Sequence, residues 1–515
     1  MPVIFRLAIR NLKEHKSKTI IIALFLILGI AIVILGNSFL ESINRGLEKD
    51  FRANYTGDIA ISAKPEKGYR IDIFGVDSNT LTTDIPQVPA IASLDKVMEI
   101  VNRHHDEFAS TTKLISAQVF VAEGLEVDFA ELFEDDNLTF DDMPISMLFS
   151  GEDETYWNTF SGINFTEGGF PAPNTNEIII DTRVQRAYKG LYKKDLHIGD
   201  TVLLAGANTK GIIREAKVVG VFKPANEYSA MFQIIYCNPS LARSFADLTY
   251  ASLAENAIPD TIDLSISELS EDDLFGSSDD DFDFDFGIDE SSDILGSTAD
   301  FDDILGDTTL RDQLNKTDDG AWQFILMKTK NPLSTKRIIK ELKAELEEEG
   351  FELQVMDWKL AAASYAYTVE GIGVVFNILV IILAVVVFII IMNTMTVSVI
   401  ERTGEIGTMR AIGAEKKFVQ KLFYTEAVSL TFFSAIIGII LAFIIMAIFN
   451  ALGITITNSI AKMILGGGLL HFTPTAGIII MTLIIAILGS VISNFYPVSS
   501  ALKITPLKAL AKGSD

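Results

Sequence analysis

Residues 371–400 read GIGVVFNILVIILAVVVFIIIMNTMTVSVI, a run of 30 positions without a charged side chain. As an α-helix such a run measures about 45 Å, against a hydrocarbon core of about 30 Å. It is long enough to cross a bilayer and is expected to project beyond it at its outer end. Three further uncharged runs, Thr19–Leu40, Ala427–Leu452 and Pro474–Tyr496, are also of spanning length. No Asp, Glu, Lys, Arg or His lies inside any of the four. Ion-coupled carriers and proton pumps bury such groups in their helices, so the pattern argues against a secondary transporter. Asn393, Thr394, Ser398, Ser434 and Asn494 remain as polar span residues, suited to interhelical hydrogen bonds.

The flanks give the orientation. Residues 41–370 hold 28 Lys and Arg against 62 Asp and Glu, within a chain of formal net charge −26. The segments 1–18, 401–426 and 497–515 are basic on balance. Lys and Arg in short flanks stay in the cytoplasm. Both termini and 401–426 are therefore expected inside, with 41–370 and the loop 453–473 outside. The expected fold is four transmembrane helices in a 1 + 3 arrangement, with a large extracytoplasmic α/β domain between the first and second. The first span is preceded by Arg6, Arg10, Lys13, Lys16 and Lys18 and is longer than a signal-peptide core, so it reads as an uncleaved anchor. Ile4, Phe5, Ala8, Ile9 and Leu12 share one face of residues 3–14, which suits a cytoplasmic helix lying in the membrane interface. The acidic balance excludes ordinary nucleic-acid binding, which needs clustered Lys and Arg.

The outer segment alternates helical and strand patterns. Ser93–His104, Thr182–Tyr192 and Ser334–Gly350 carry apolar residues at helical spacing, and Gly350 is a natural terminator. Glu177–Asp181, His197–Leu204, Ile212–Phe222, Gln323–Thr329 and Phe351–Met356 read as strands or as turns feeding strands. Residues 244–310 contain 20 Asp and Glu and no Lys or Arg, the composition of a flexible insertion, most marked over 260–310. Asp281, Asp283 and Asp285 match the first positions of a calcium loop. Phe286 and Ser292 stand where such a loop needs its glycine and its bidentate glutamate. No metal site is assigned.

Catalytic chemistry is missing too. Gly206 and Gly211 have the spacing of a phosphate loop, but Ile212 and Ile213 replace the required Lys and Ser or Thr. Neither H-E-x-x-H nor G-x-S-x-G occurs, and the adjacent His104 and His105 diverge on a helix. Cys237, the single cysteine, permits neither a disulfide within the chain nor a cysteine-based metal site.

The informative stretch follows the second span: Glu401-Arg402-Thr-Gly404-Glu405-Ile406-Gly407-Thr-Met409-Arg410-Ala-Ile412-Gly413-Ala414. Ile406, Met409 and Ile412 recur every third residue, and Ile406 and Met409 are expected to share a face. Glu401, Arg402, Glu405 and Arg410 supply charge elsewhere, and the glycines permit tight turns or close backbone approach. A short helix of this kind suits docking into a groove on a soluble partner.

This stretch resembles the E-R-x-x-E-I-G-x-x-R-A-I-G-A signature of the MacB/FtsX-type ABC transporter permeases. Tyr55-Thr-Gly57-Asp-Ile-Ala-Ile61, followed by Gly68-Tyr69, is similar to the start of the outer domain in the lipoprotein-releasing, LolC/LolE-like branch. The tail Pro497…Ala501…Pro506-Leu507-Lys508-Ala509-Leu510 also fits the family. The resemblance covers nearly the whole chain apart from about 244–315. It implies an inner-membrane permease with no ATPase of its own, paired with a second permease, identical or paralogous, and with a dimer of ATPase subunits that bind ATP and Mg. In that family Glu401–Gly413 would be the ATPase-docking segment. The branch implies an acylated protein as cargo and a carrier outside. Export of small molecules or peptides, as in MacB, and control of cell-wall hydrolases, as in FtsX, remain open at this point.

Overall fold

The computed structural model describes residues 3–14, 16–78, 86–124, 145–160, 163–207, 212–224, 233–249, 316–454 and 471–502. The acidic insertion beyond residue 249, its calcium-like aspartates, residues 208–211 of the glycine pair, most of the 453–473 loop and the tail beyond 502 lie outside the described residues.

Helix α1 (Val3–Glu14) is amphipathic. Ala8 is fully buried, while Arg6, Arg10 and Lys13 are exposed. Helix α2 (Lys16–Asn54) runs for 39 residues, or about 58 Å. The expected end of the first span at Leu40 is therefore not the end of its helix. Past Leu40, Ile43, Leu47 and Phe51 recur at every fourth position and are buried, as is Tyr55 just after the helix. Glu41–Arg45 and Glu48–Arg52 form i,i+4 ion pairs at 2.7 Å. This spacing gives the outer third of α2 an apolar face, and that face enters the α/β domain.

Among the described residues, the domain is built on a mixed sheet of ten strands. Its elements are β1 (Ile59–Ala63), β2 (Tyr69–Asp72), β3 (Gly75–Ser78), α3 (Leu94–Arg103), β4 (Phe108–Ala122), β5 (Ile145–Gly151), α4 (Asp153–Thr159), β6 (Ile163–Gly168), β7 (Glu177–Asp181) and α5 (Thr182–Tyr192). There follow β8 (Thr201–Gly206), β9 (Ile213–Pro224), β10 (Gln233–Cys237), α6 (Pro239–Phe245), β11 (Phe324–Thr329), α7 (Thr335–Glu348), β12 (Leu353–Asp357) and α8 (Trp358–Ala361). The strand order is β12-β1-β11-β4-β5-β10-β7-β9-β6, with β8 bridging β4 and β9, and β2–β3 form a separate hairpin. Pairs β5–β10 and β7–β9 are parallel and the others antiparallel.

Successive side chains point to opposite faces of a strand, so each strand feeds two cores. Ala60, Leu326, Phe149, Ile234 and Ile179 face the core that receives α2. On the other face, Ile59, Ile61, Ile325 and Met327 pack with α3 and α7. Leu148, Ile235, Ile178 and Ile180 pack with α5 and α6.

Helix α9 (Ala363–Glu401) leaves the first of these cores and runs the length of the bundle. A break at Arg402 leads to α10 (Thr403–Ala411) and then α11 (Lys416–Leu452). Helix α12 (Ala476–Leu502) closes the bundle. The third long helix thus begins inside the segment 401–426 that the sequence reading set apart. Among the described residues, four helices, α2, α9, α11 and α12, are long and apolar enough to cross a membrane. Where α2 crosses α9, Gly36 makes room for the ring of Phe376. A Cβ at residue 36 would lie 1.8 Å from the ring tip.

Candidate functional site

The signature stretch forms an elbow at the end of the bundle remote from the α/β domain. Arg402 separates α9 from α10, and its guanidinium turns inward. It lies 3.1 Å from Glu426 on α11 and 3.0 Å from Glu405, and it covers the Phe423 ring at 5.2 Å. With Arg402 only 3% exposed, an ion pair that also caps an aromatic face joins the end of one long helix to the start of the next. Arg402, expected to supply charge away from the Ile406–Met409 face, spends it inside the bundle. Its partner Glu426 lies on the following helix, beyond the reach of local sequence spacing.

The apolar ridge divides in the same way. Ile406 is 3% exposed and packs with Val399 of α9, Val419 and Phe423 of α11 and Val498 of α12. Met409 shares its face and packs against the same cluster. Ile412 points away and is 88% exposed. The three residues do not form one outward ridge, because α10 spends its Ile406–Met409 face on its own bundle. What the elbow presents outward is Ile412, together with exposed Glu401 and Glu405, while Gly404, Met409 and Arg410 are half-buried and Gly407 is buried.

The end of α10 explains its Met-Arg-Ala-Ile-Gly-Ala sequence. The Gly413 amide donates to the Arg410 carbonyl (3.2 Å) and the Ala414 amide to the Met409 carbonyl (3.0 Å). Gly413 has φ +109°, where a side chain is strained. This is the Schellman termination, and the Met409–Ala414 pairing is its usual apolar contact.

At the opposite end, α2 and α9 are tied to the sheet by separate polar clasps. Asp58, just past α2, accepts from Arg52 Nε (2.6 Å), from the Thr329 amide (2.7 Å) and from the Thr329 hydroxyl (2.8 Å). Lys328 donates to the Ala53 carbonyl at 2.8 Å and to the Thr159 carbonyl at 2.5 Å, closing the ends of α2 and α4 together. Burial pushes the Lys328 pKa below the usual lysine range. Asp72 accepts from the Ser364 amide (2.7 Å) in the first turn of α9 and from the Phe74 amide (2.8 Å). The carboxylate thereby caps a helix from a different element. Burial raises its pKa from 3.8 to about 6, an effect that these hydrogen bonds partly offset. The Ile73 amide donates to the Ala361 carbonyl at 3.0 Å, so the β2–β3 hairpin is fastened to the α8–α9 junction. The contacts of these clasps that join distant segments, Asp58–Thr329, Lys328–Ala53 and Asp72–Ser364, are not evident from the sequence.

Comparison with known proteins bears on both ends. Residues 377–506 match the family model described as FtsX-like permease C-terminal, and residues 19–268 match the MacB-like periplasmic core domain. Over 186 residues the chain is 32% identical to the ABC transporter permease YtrF of Bacillus subtilis, covering 34% of this chain and 40% of that one. Over 122 residues it is 37% identical to the macrolide export ATP-binding/permease protein MacB of Agrobacterium fabrum, covering 24% of this chain and 17% of that one. The matched stretches span less than half the length of either relative. The periplasmic region of MacB from Actinobacillus actinomycetemcomitans aligns at 11% identity and a TM-score of 0.27, over 62% of this chain and 96% of that one. With a periplasmic core domain inserted after the first of four candidate spans and an FtsX-like domain formed by the last three, the chain belongs to the MacB/FtsX-type ABC transporter permeases.

Proposed function

We propose that the chain is the transmembrane subunit of an inner-membrane ABC transporter and converts ATP hydrolysis by a separate ATPase dimer into movement of its periplasmic domain. Both termini and the elbow lie on the ATPase side, in the cytoplasm, and ATP and Mg are bound by the partner. A second permease, identical or paralogous, completes the complex. The observation that carries this reading is the continuity of α9, which reaches from Ser364, capped by Asp72, to Glu401, next to the buried Arg402. An unbroken helix anchored by polar contacts at both ends transmits displacement and leaves the cargo no need to cross the bilayer. Ile412 is the group that enters the ATPase groove, and Ile406 and Met409 hold α10 in register with the bundle. The test is Ile412→Asp in the full complex purified from its native membrane. ATP hydrolysis co-purifying with the chain is expected to fall at least tenfold. Unchanged co-purifying activity contradicts the docking role.

An acylated protein is the favoured cargo, passed to a carrier outside. An apolar cleft of about 400 Å³ between α2, α9 and α12 supports this, lined by Leu26, Val33, Phe388, Ile485 and Ser490 among others. It contains no charged residue and suits a lipid chain entering sideways from the bilayer. Gly489→Trp projects into this cleft and is expected to abolish photocrosslinking of a diacylated peptide while ATPase activity is retained. Equal crosslinking in the variant removes the argument for lipid cargo and leaves export or hydrolase control.

A further inference from the structure

On the sheet face opposite α2, helices α3 and α7 lie side by side, and His104 sits between them. Its Nε2 is 2.8 Å from Oε1 of Glu345 on α7, and its Nδ1 is 3.6 Å from Oε1 of Glu107. Glu341, one turn before Glu345, completes a set in which ligand atoms of His104, Glu107 and Glu341 lie within 4.8 Å of one another. When Nε2–H donates to Glu345, Nδ1 is the acceptor nitrogen and lies 3.6 Å from a carboxylate oxygen. Two acceptors do not bond each other, and 3.6 Å is too long for a hydrogen bond. It is close to the edge, about 3.4 Å, of a tetrahedron with metal–ligand bonds of about 2.0–2.1 Å.

Both carboxylates are already oriented from behind. Arg337 binds Oε2 of Glu107 and, at 2.6 Å, Oε2 of Glu341, which leaves one oxygen of each for another partner. Glu345 does the same for the imidazole. A histidine whose far nitrogen is held by a carboxylate is the usual outer support of a metal ligand. We propose that His104, Glu107 and Glu341 bind a divalent transition-metal ion of the zinc class, with Glu345 and Arg337 as orienting partners. One imidazole nitrogen and two carboxylate oxygens suit such an ion. They suit neither Cu(I), which selects thiolates and thioethers, nor Mg²⁺, which selects oxygen alone. Three protein ligands leave a position for water. The ion ties α3 to α7, far from the elbow, so the site is independent of the transport reading.

The test uses the full-length chain in detergent, stripped with EDTA and titrated with Zn²⁺ against a chromophoric competitor. One tightly bound zinc per chain is expected. His104→Ala should weaken its binding by about 100-fold or more, and Glu345→Gln, which leaves all three ligands in place, by about 10–100-fold. Melting in EDTA, matched between wild type and Glu345→Gln, separates loss of metal from loss of fold. Zinc held equally well by His104→Ala places it elsewhere, such as on the acidic 244–310 segment, and overturns the proposal. Absence of stoichiometric zinc overturns it as well.

Discussion

Phe51 of α2 and Tyr365 of α9 hold their rings 5.5 Å apart inside the core beneath the ten-stranded sheet. Two helices that leave the bundle in opposite chain directions thus meet in the periplasmic domain and share one packed environment with Phe74, which meets Phe51 edge-on at 6.0 Å. Displacing either helix disturbs the other and the sheet together, because cores are close-packed and transmit strain.

Phe51→Ala removes a fully buried ring at this junction. The expected cost is about 3–5 kcal/mol. It should appear as a lower melting midpoint in detergent and as faster proteolysis of the domain. Phe25→Ala, in a 38% exposed ring on the same helix, should leave the midpoint nearly unchanged.

Asp72 makes the clasp on α9 sensitive to pH. Its pKa is about 6 when folded and about 3.8 when unfolded, so the folded state holds the proton more tightly. Its stabilising contribution is complete below about pH 4 and is lost as pH rises through 6. The difference is on the order of 3 kcal/mol. Asp72→Asn should flatten the pH dependence of the melting midpoint between pH 4 and 6, which parallel melts of the two proteins will show.

Removing Arg402 takes the guanidinium away from the buried Glu426 carboxylate. Arg402→Ala is expected to cost about 3–5 kcal/mol and to release α10 from the bundle. Limited proteolysis near residue 410 should accelerate. The double change Arg402→Met with Glu426→Leu keeps the volume without stranding a charge and should restore resistance.

Gly404, in the first turn of α10, and Gly413, just past its end, should respond in opposite senses. Gly404 is helical with open space where a Cβ would stand, so Gly404→Ala should stabilise the elbow by about 0.5–1 kcal/mol. Gly413 has φ +109°, so Gly413→Ala should destabilise it by about 1–2 kcal/mol. Hydrogen exchange of the Met409 and Ala414 region reads both.

Local patterns were legible and long-range partners were not. Glu177–Asp181 and Thr182–Tyr192 adopt the expected strand and helix, because Ile178–Ile180 form an apolar run and Asp181 caps the helix through the Arg183 and Val184 amides. Strand β4 is not legible in the sequence, since Ser110, Thr111, Thr112 and Lys113 hide its alternation. The extension of α2 looked polar from its Glu and Arg pairs, although Ile43, Leu47 and Phe51 carried the signal at four-residue spacing. The inward turn of Ile406 and Arg402 depends on α11 and α12, which spacing within the elbow does not reveal.

The central claim is that α9 carries motion as a rigid rod. Cys237 is buried, and burial pushes its thiol pKa well up, so spin labels go selectively to introduced cysteines. Leu333→Cys on the domain, at a site 92% exposed, and Leu452→Cys at the outer end of α11, 67% exposed, define a distance within one chain. Measured by pulsed electron resonance in the ATPase-containing complex, this distance should change on nucleotide binding. It should cease to change when Val386→Pro interrupts α9. A distance indifferent to nucleotide, or one that responds equally with α9 broken, contradicts the account.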